Sequence, residues 1–203
     1  RVLVPLCGKS VDMPYLGERG HDVVGVDCVE AAAWQLQRDA WLKFEVDQVT
    51  TPGAGGGKRP DFIAAPTFVE ERSGYVFKTG DKGTGYYLDA KVIKWFRDTK
   101  RRISFAVHDF FHLTPSDIGT FDRIWDRAAL VAIRPEDREE YAATCDSLLK
   151  PGGRILLLTL VYNQEKMSGP PFSIPSEEVQ RLYGELGYKV ETLSSVDSRK
   201  DFQ

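Results

Sequence analysis

Arg1-Val-Leu-Val-Pro-Leu-Cys7, broken at Gly8-Lys9-Ser10, followed by Asp22-Val-Val-Gly-Val26 ending on Asp27, is the stretch that decides the fold. Near-continuous apolar runs of this kind are the pattern of parallel strands buried on both faces of an α/β sheet. Ligands of such sheets bind beyond the carboxyl ends of the strands, where Gly8 and Asp27 both fall. A glycine there lets the backbone approach a ligand closely, and an acid about twenty residues later accepts hydrogen bonds from both hydroxyls of a ribose. Each position has a plainer alternative: Gly8 as a turn residue, and Asp27 as a cap on the helix that follows.

The spelling around Gly8 separates three nucleoside ligands. A dinucleotide wants G-x-G-x-x-G, so that several backbone N–H groups meet the pyrophosphate, and only Gly8 is present. A P-loop would share Gly8-Lys9-Ser10 but would place its first glycine at position 3, which is Leu3. S-adenosylmethionine carries a ribose and no phosphate. It needs the close-approach glycine and the acid without the anion cradle, and fits best of the three. Lys9 reads as a solvated side chain.

A chain of 203 residues with 42% hydrophobic content holds one sizeable core and needs no second domain. A net charge of -3 supplies no basic stripe for nucleic acid, and no apolar run reaches the length of a membrane span. Cys7, Cys28 and Cys145 have no metal-like spacing and read as reduced, packing cysteines of a cytoplasmic protein. His21, His108 and His112 form no ligand pattern, so no metal is expected. The first residue is Arg, inside a strand pattern, and the end, Ser195 to Gln203, is an abrupt polar run. A chain truncated at both ends is the expectation.

Helical patterns cover Val11 to Arg19, closed by Gly20, and Glu30 to Phe44, with Trp34, Trp41, Leu42 and Phe44 on an amphipathic face. Residues 51–60 form a Gly/Pro breaker cluster, expected to be a flexible loop. Tyr75 to Phe77 and Gly85 to Leu88 flank a turn and predict a hairpin, and Val92 to Arg97 a short basic helix. Lys100-Arg-Arg102 reads as solvated surface. Ile103 to Val107 is the third strand, Phe121 to Trp125 the fourth, and Arg154 to Val161 a fully buried fifth. A helix runs from Pro135 through Leu149 to a stop at Lys150-Pro-Gly-Gly153. Ser176 caps a helix over Glu177 to Leu186, Gly187 ends it, and Tyr188 to Leu193 is a sixth strand. Strands alternating with helices define an α/β chain with a mostly parallel twisted sheet and helices on both faces.

Four segments in this order, Pro5-Leu-Cys-Gly-Lys9, Gly20-His-Asp-Val-Val-Gly-Val-Asp27, Ile124-Trp-Asp-Arg-Ala-Ala-Leu-Val-Ala-Ile133 and Gly169-Pro-Pro-Phe-Ser-Ile-Pro175, resemble the thiopurine S-methyltransferase family. The resemblance covers the chain except about residues 51–102, which stand as an insertion in a single domain over 1–203. It implies a Rossmann-like class I methyltransferase fold with a seven-stranded sheet. The family's last strand, inserted between strands five and six, would be missing, as would an amino-terminal segment that covers the cofactor. The chain as written is therefore expected to be less stable than a complete relative and to turn over slowly or not at all.

The resemblance further implies S-adenosyl-L-methionine as cofactor, contacted by Leu6, Gly8, Asp27, Asp109 and Phe110, with Arg127 beside both cofactor and acceptor. Glu would serve equally at the Asp27 position, since either carboxylate binds a ribose diol. For Asp109 a turn or helix cap is the alternative, and for Arg127 a structural pair with Asp126 or Asp122. The implied reaction is methyl transfer to the sulfur of a small aromatic or heterocyclic thiol, or to a related acceptor, by a monomeric enzyme. A cation at Arg127 would favour the thiolate. Pro171 and Phe172, with Pro170 and Pro175, would wall the acceptor, or simply form a rigid connection. An inactive cofactor-binding or interaction protein, and a halide or thiol methyltransferase of the same fold, are the competing functions.

Overall fold

Val2, Leu3 and Val4 are all buried and form β1 (Val2–Val4), which lies in the interior of a seven-stranded sheet. The computed structural model describes residues 1–51, 60–70, 72, 75–88 and 91–197. Five strands run parallel in the order β10 (Leu149–Leu158), β9 (Phe121–Arg127), β1, β2 (Val23–Asp27) and β8 (Ile103–Val107). Two more extend the β8 edge antiparallel, β7 (Lys91–Asp98) and then β3 (Glu45–Thr51). Parallel neighbours need crossovers. These carry α1 (Asp12–Glu18), α3 (Pro115–Ile118) and α4 (Arg138–Leu148), while α2 (Glu30–Asp39) follows β2 and α5 (Ser176–Glu185) follows β10.

The strand period of two divides the core between the faces. Val2, Val4, Val23, Ile103 and Phe105 pack with Met13 and Leu16 of α1 and Ala33 and Leu36 of α2. Leu3, Val24, Val26 and Ile124 face the other way, onto Tyr141 and Cys145 of α4 and Leu182 and Tyr183 of α5. The helix α1 sits close: a Cβ at Gly17 would lie 2.7 Å from the Arg101 carbonyl oxygen.

Several expected elements are corrected. Val92 to Arg97 is not a helix but the middle of β7, where Ile93 and Trp95 join the α4 side of the core and Phe96 the α1 side. Its basic residues misled because each has an acid across the structure: Lys91 with Asp117, Lys94 with Glu30, and Arg97 with Asp47. The helix expected to reach Phe44 ends at Asp39; Trp41 adopts φ +54° and is 83% exposed. Ser176 is the first helical residue of α5, and Pro175 stands at the N-cap without a side-chain bond. The fifth strand is not fully buried. It begins at Leu149, shifts register between Leu149 and Arg154, and lies at the sheet edge with Leu156 and Leu158 exposed. Tyr188 to Leu193 forms no strand, since the described residues place nothing between it and β10 to pair with.

The predicted hairpin is present as β5 (Tyr75–Gly80) and β6 (Gly83–Leu88), joined by β4 (Phe62–Ala64) in a separate three-stranded sheet. Tyr86 is buried in it among Phe68 and Phe77 and donates its hydroxyl to the Glu70 carbonyl at 2.8 Å. Most of the loop expected over 51–60 lies outside the described residues.

Candidate active site

All five parallel strands end on one edge, and the candidate residues sit at or just beyond those ends. After β1 the chain turns sharply, with Leu6 at φ +43° and Gly8 at φ +48°. Leu6 lies against the α4 side of the core. The Cys7 amide donates to the Val26 carbonyl at 2.9 Å, tying the turn to β2. The Gly8 amide donates to Asp27 Oδ2 at 2.8 Å, and the Val29 amide to Asp27 Oδ1 at 2.9 Å. One carboxylate thus joins the loops after β1 and β2. It accepts these two bonds and keeps lone pairs for a ligand's hydroxyls. A Cβ at Gly8 would meet nothing within 4 Å, so the protein itself leaves the space over this turn open.

Beyond β8, Asp109 is exposed and engaged locally. Its Oδ1 accepts from the Phe111 amide at 3.1 Å and its Oδ2 lies 3.1 Å from His112 Nδ1, which makes it the cap of a single 3-10 turn, Phe110–His112. The Phe110 ring is buried and packs on Tyr141 with 5.2 Å between centroids. Its side chain belongs to the core.

At the end of β9 the structural pairs expected as the alternative role of Arg127 are absent. Arg127 pairs neither with Asp126 nor with Asp122. Its Nε donates to Asp12 Oδ2, and the Trp125 indole Nε1 donates to the same oxygen at 3.0 Å. Asp122 instead meets Lys150 at 2.8 Å. Asp126 points to the opposite face and is buried. Its Oδ1 accepts from the amides of Ala129 at 3.0 Å and Leu130 at 3.1 Å, and its Oδ2 from the Tyr141 hydroxyl at 2.8 Å. Those bonds hold the bend that follows Arg127, in which Ala128 takes φ +73°. Burial pushes the Asp126 carboxyl up to about 6, against the three donors that pull it down. Burial, then the nearby Asp126 charge, pushes the Tyr141 hydroxyl up, and burial raises the Cys7 and Cys145 thiols, so these stay neutral.

The bend continues into the 3-10 turn Leu130–Ala132, where the Val131 carbonyl accepts the Phe172 amide at 2.6 Å. The Tyr162 hydroxyl donates to the Pro171 carbonyl, and Arg138 of α4 lies over the Phe172 ring at 5.9 Å. Pro171 and Phe172 are half-buried and pinned to the segment that leaves Arg127. Leu6, Gly8 and Asp27 thus come together in one group, Pro171 and Phe172 are tied to the segment that follows Arg127, and Asp12 of α1 links Arg127 to the turn carrying Gly8. Asp12, Trp125 and Tyr141 were not singled out from the sequence. The acid in the first turn of α1 was visible as such, but its partner lies 115 residues away.

A hollow of about 410 Å³ lined by Arg1, Asp22, Arg97 and Arg102 among others opens at the amino ends of β1, β2 and β8, on the opposite edge from these residues. Among the described residues no group of acidic, His and Cys side chains is placed to hold a metal ion, and no helix is long and apolar enough to cross a membrane.

Parallel strands in the order β10-β9-β1-β2-β8 define a Rossmann-like class I methyltransferase fold. A magnesium protoporphyrin IX methyltransferase from Synechocystis, solved with bound SAH, has a similar fold, with a TM-score of 0.53, 13% identity, and coverage of 94% of this chain and 64% of that one. The sequence profile of the thiopurine S-methyltransferase family matches residues 1–53 and 86–202, and the chain belongs to that family. It is 34% identical to the thiopurine S-methyltransferase of Oryctolagus cuniculus over 98% of this chain and 65% of the relative, and 37% identical to that of Methylococcus capsulatus over 98% and 70%. The chain thus spans about two thirds of the length of these curated relatives.

Proposed function

We propose that this chain binds S-adenosyl-L-methionine over Gly8 and Asp27 and transfers its methyl group to the sulfur of a small aromatic or heterocyclic thiol. The observation that carries the reading is the Asp27 carboxylate, which bridges the Gly8 and Val29 amides beneath open space at the crest of the two central strands. The residues present suit this cofactor: a glycine turn without a phosphate cradle, and a carboxylate with capacity for a ribose diol. When bound, the cofactor would supply an electrophilic methyl group on a sulfonium, which would pass in line to the acceptor thiolate as S-adenosylhomocysteine leaves with the electron pair of the broken bond.

The chain's own residues hold and aim the partners. Asp27 orients the ribose, Leu6 and Gly8 shape the floor, and the turn at Asp109 and Phe110 borders the adenine end. Arg127 offers a cation to the acceptor sulfur, which favours the thiolate. Pro171 and Phe172, stiffened by their bonds to Tyr162 and Val131, present an apolar edge to a planar ring. Positioning of this kind removes much of the entropic barrier, so no strong general base is required. We place the protein in the cytoplasm, where its three thiols stay reduced, as a monomer with no nucleic-acid or membrane partner.

The test is transfer of labelled methyl from S-adenosylmethionine to a panel of thiopurines, thiophenols, selenols and halides. Methylation of the thiols in preference to halides supports the reading. S-adenosylhomocysteine binding without methylation of any acceptor would replace it with a cofactor-binding protein.

A further inference from the structure

Asp12 has no part in the reading above, yet it makes the most specific contact at the site. Its side chain is 16% exposed, and one oxygen, Oδ2, accepts from both Trp125 Nε1 and Arg127 Nε. Trp125 and Arg127 are two apart on β9 and so project from the same face, toward α1. The Asp12 amide donates to Ser10 Oγ at 3.2 Å, which fixes the acid relative to the turn carrying Gly8. On the opposite face Asp126 holds the bend that follows Arg127. Asp12 thus holds the arginine side chain, and Asp126 the backbone that follows it.

A guanidinium has five N–H donors in a rigid fork, and Asp12 engages only the Nε. Among the described residues Nη1 and Nη2 make no hydrogen bond, while the side chain as a whole is 46% exposed. An unrestrained arginine of that exposure would lose rotamer entropy when a ligand fixed it. A clamp on Nε removes part of that loss beforehand and leaves the outer edge available to a ligand. The clamp also neutralises part of the cation, so Arg127 acts more through directed donors than through bare charge.

We propose that Asp12 is the positioning residue of Arg127, holding its free guanidinium edge toward an acceptor whose reacting sulfur is an anionic or lone-pair hydrogen-bond acceptor. This rests on the methyltransferase reading, and the two are tested separately. S-adenosylhomocysteine binding is measured first by calorimetry. A thiopurine, whose absorbance distinguishes thiol from thiolate, is then titrated into the S-adenosylhomocysteine-loaded chain across neutral pH.

In the wild type the bound thiopurine should ionise at lower pH than when free, and Arg127→Ala should abolish that shift. Asp12→Ala should weaken thiopurine binding about tenfold, the scale of one charge-assisted hydrogen bond, while leaving S-adenosylhomocysteine affinity unchanged. Asp12→Asn keeps an oxygen for Arg127 Nε and removes the opposing charge. It should restore thiopurine binding and move the bound ionisation to still lower pH. Trp125→Phe, which removes only the indole donor, should give a smaller loss and serves where Asp12→Ala does not fold. Wild-type thiopurine affinity and ionisation in Asp12→Ala overturn the proposal, as does absence of thiopurine binding to the loaded wild type. Absence of S-adenosylhomocysteine binding overturns the reading beneath it.

Discussion

Three aspartates organise the site, and each meets a different environment. Asp126 is the buried one, and its carboxyl stands near 6 instead of 3.8. A raised acid favours folding while protonated, so its contribution is complete below about pH 4 and is lost as pH rises through about 6. Asp126→Asn can still accept from Ala129 and Leu130 through its amide oxygen. Chemical denaturation should show the wild type losing on the order of 2–3 kcal/mol relative to Asp126→Asn between acid and neutral pH. A parallel pH dependence in both proteins would exclude this origin. Beside it, Ala128 at φ +73° is strained, and Ala128→Gly should raise the unfolding free energy by about 1 kcal/mol; a loss of stability would show that the bend is not under strain. Asp27→Ala removes both the proposed ribose contact and the bonds to Gly8 and Val29. It should weaken S-adenosylhomocysteine binding by about 1–3 kcal/mol, and retained affinity would leave the acid with its loop-joining role alone.

The elements were legible where the signal is local. Val2–Val4, Val23–Asp27 and Ile103–Val107 are apolar runs closed by turn residues, and they fold as read. Illegible were features decided by distant partners. The cations of β7 resembled one solvated helix face because Asp117, Glu30 and Asp47 lie elsewhere in sequence. The leucines of β10 read as fully buried because nothing in Arg154 to Leu158 announces an edge position. The candidate site divides in the same way: Gly8 and Asp27 were visible through spacing, whereas Asp12 and Tyr141 act only through contacts across the fold. The packing of α1 gives a check on the sheet itself. Gly17→Ala would force a Cβ against the Arg101 carbonyl and should cost about 1–3 kcal/mol in unfolding free energy. An unchanged stability would mean that α1 does not lie as close to β8 as described.

The whole chain combines a parallel five-stranded floor shared with methyltransferases and a three-stranded sheet built mainly from residues that the family profile passes over. The floor is where family membership and geometry meet, because the loops joined by Asp27 and the arginine held by Asp12 share the carboxyl edge of the sheet. The opposite edge, with its hollow around Asp22 and Arg102, carries none of these residues. Ligand binding should therefore be read at one edge alone. An amide-resolved NMR titration of the ¹⁵N-labelled chain with S-adenosylhomocysteine measures this directly. Saturable shifts at Gly8, Asp27, Val29 and the Asp109–Phe111 turn are predicted, with Asp22 and Arg102 unmoved. Shifts confined to the opposite edge, or none at saturating ligand, would contradict the assignment of the carboxyl edge as the cofactor site.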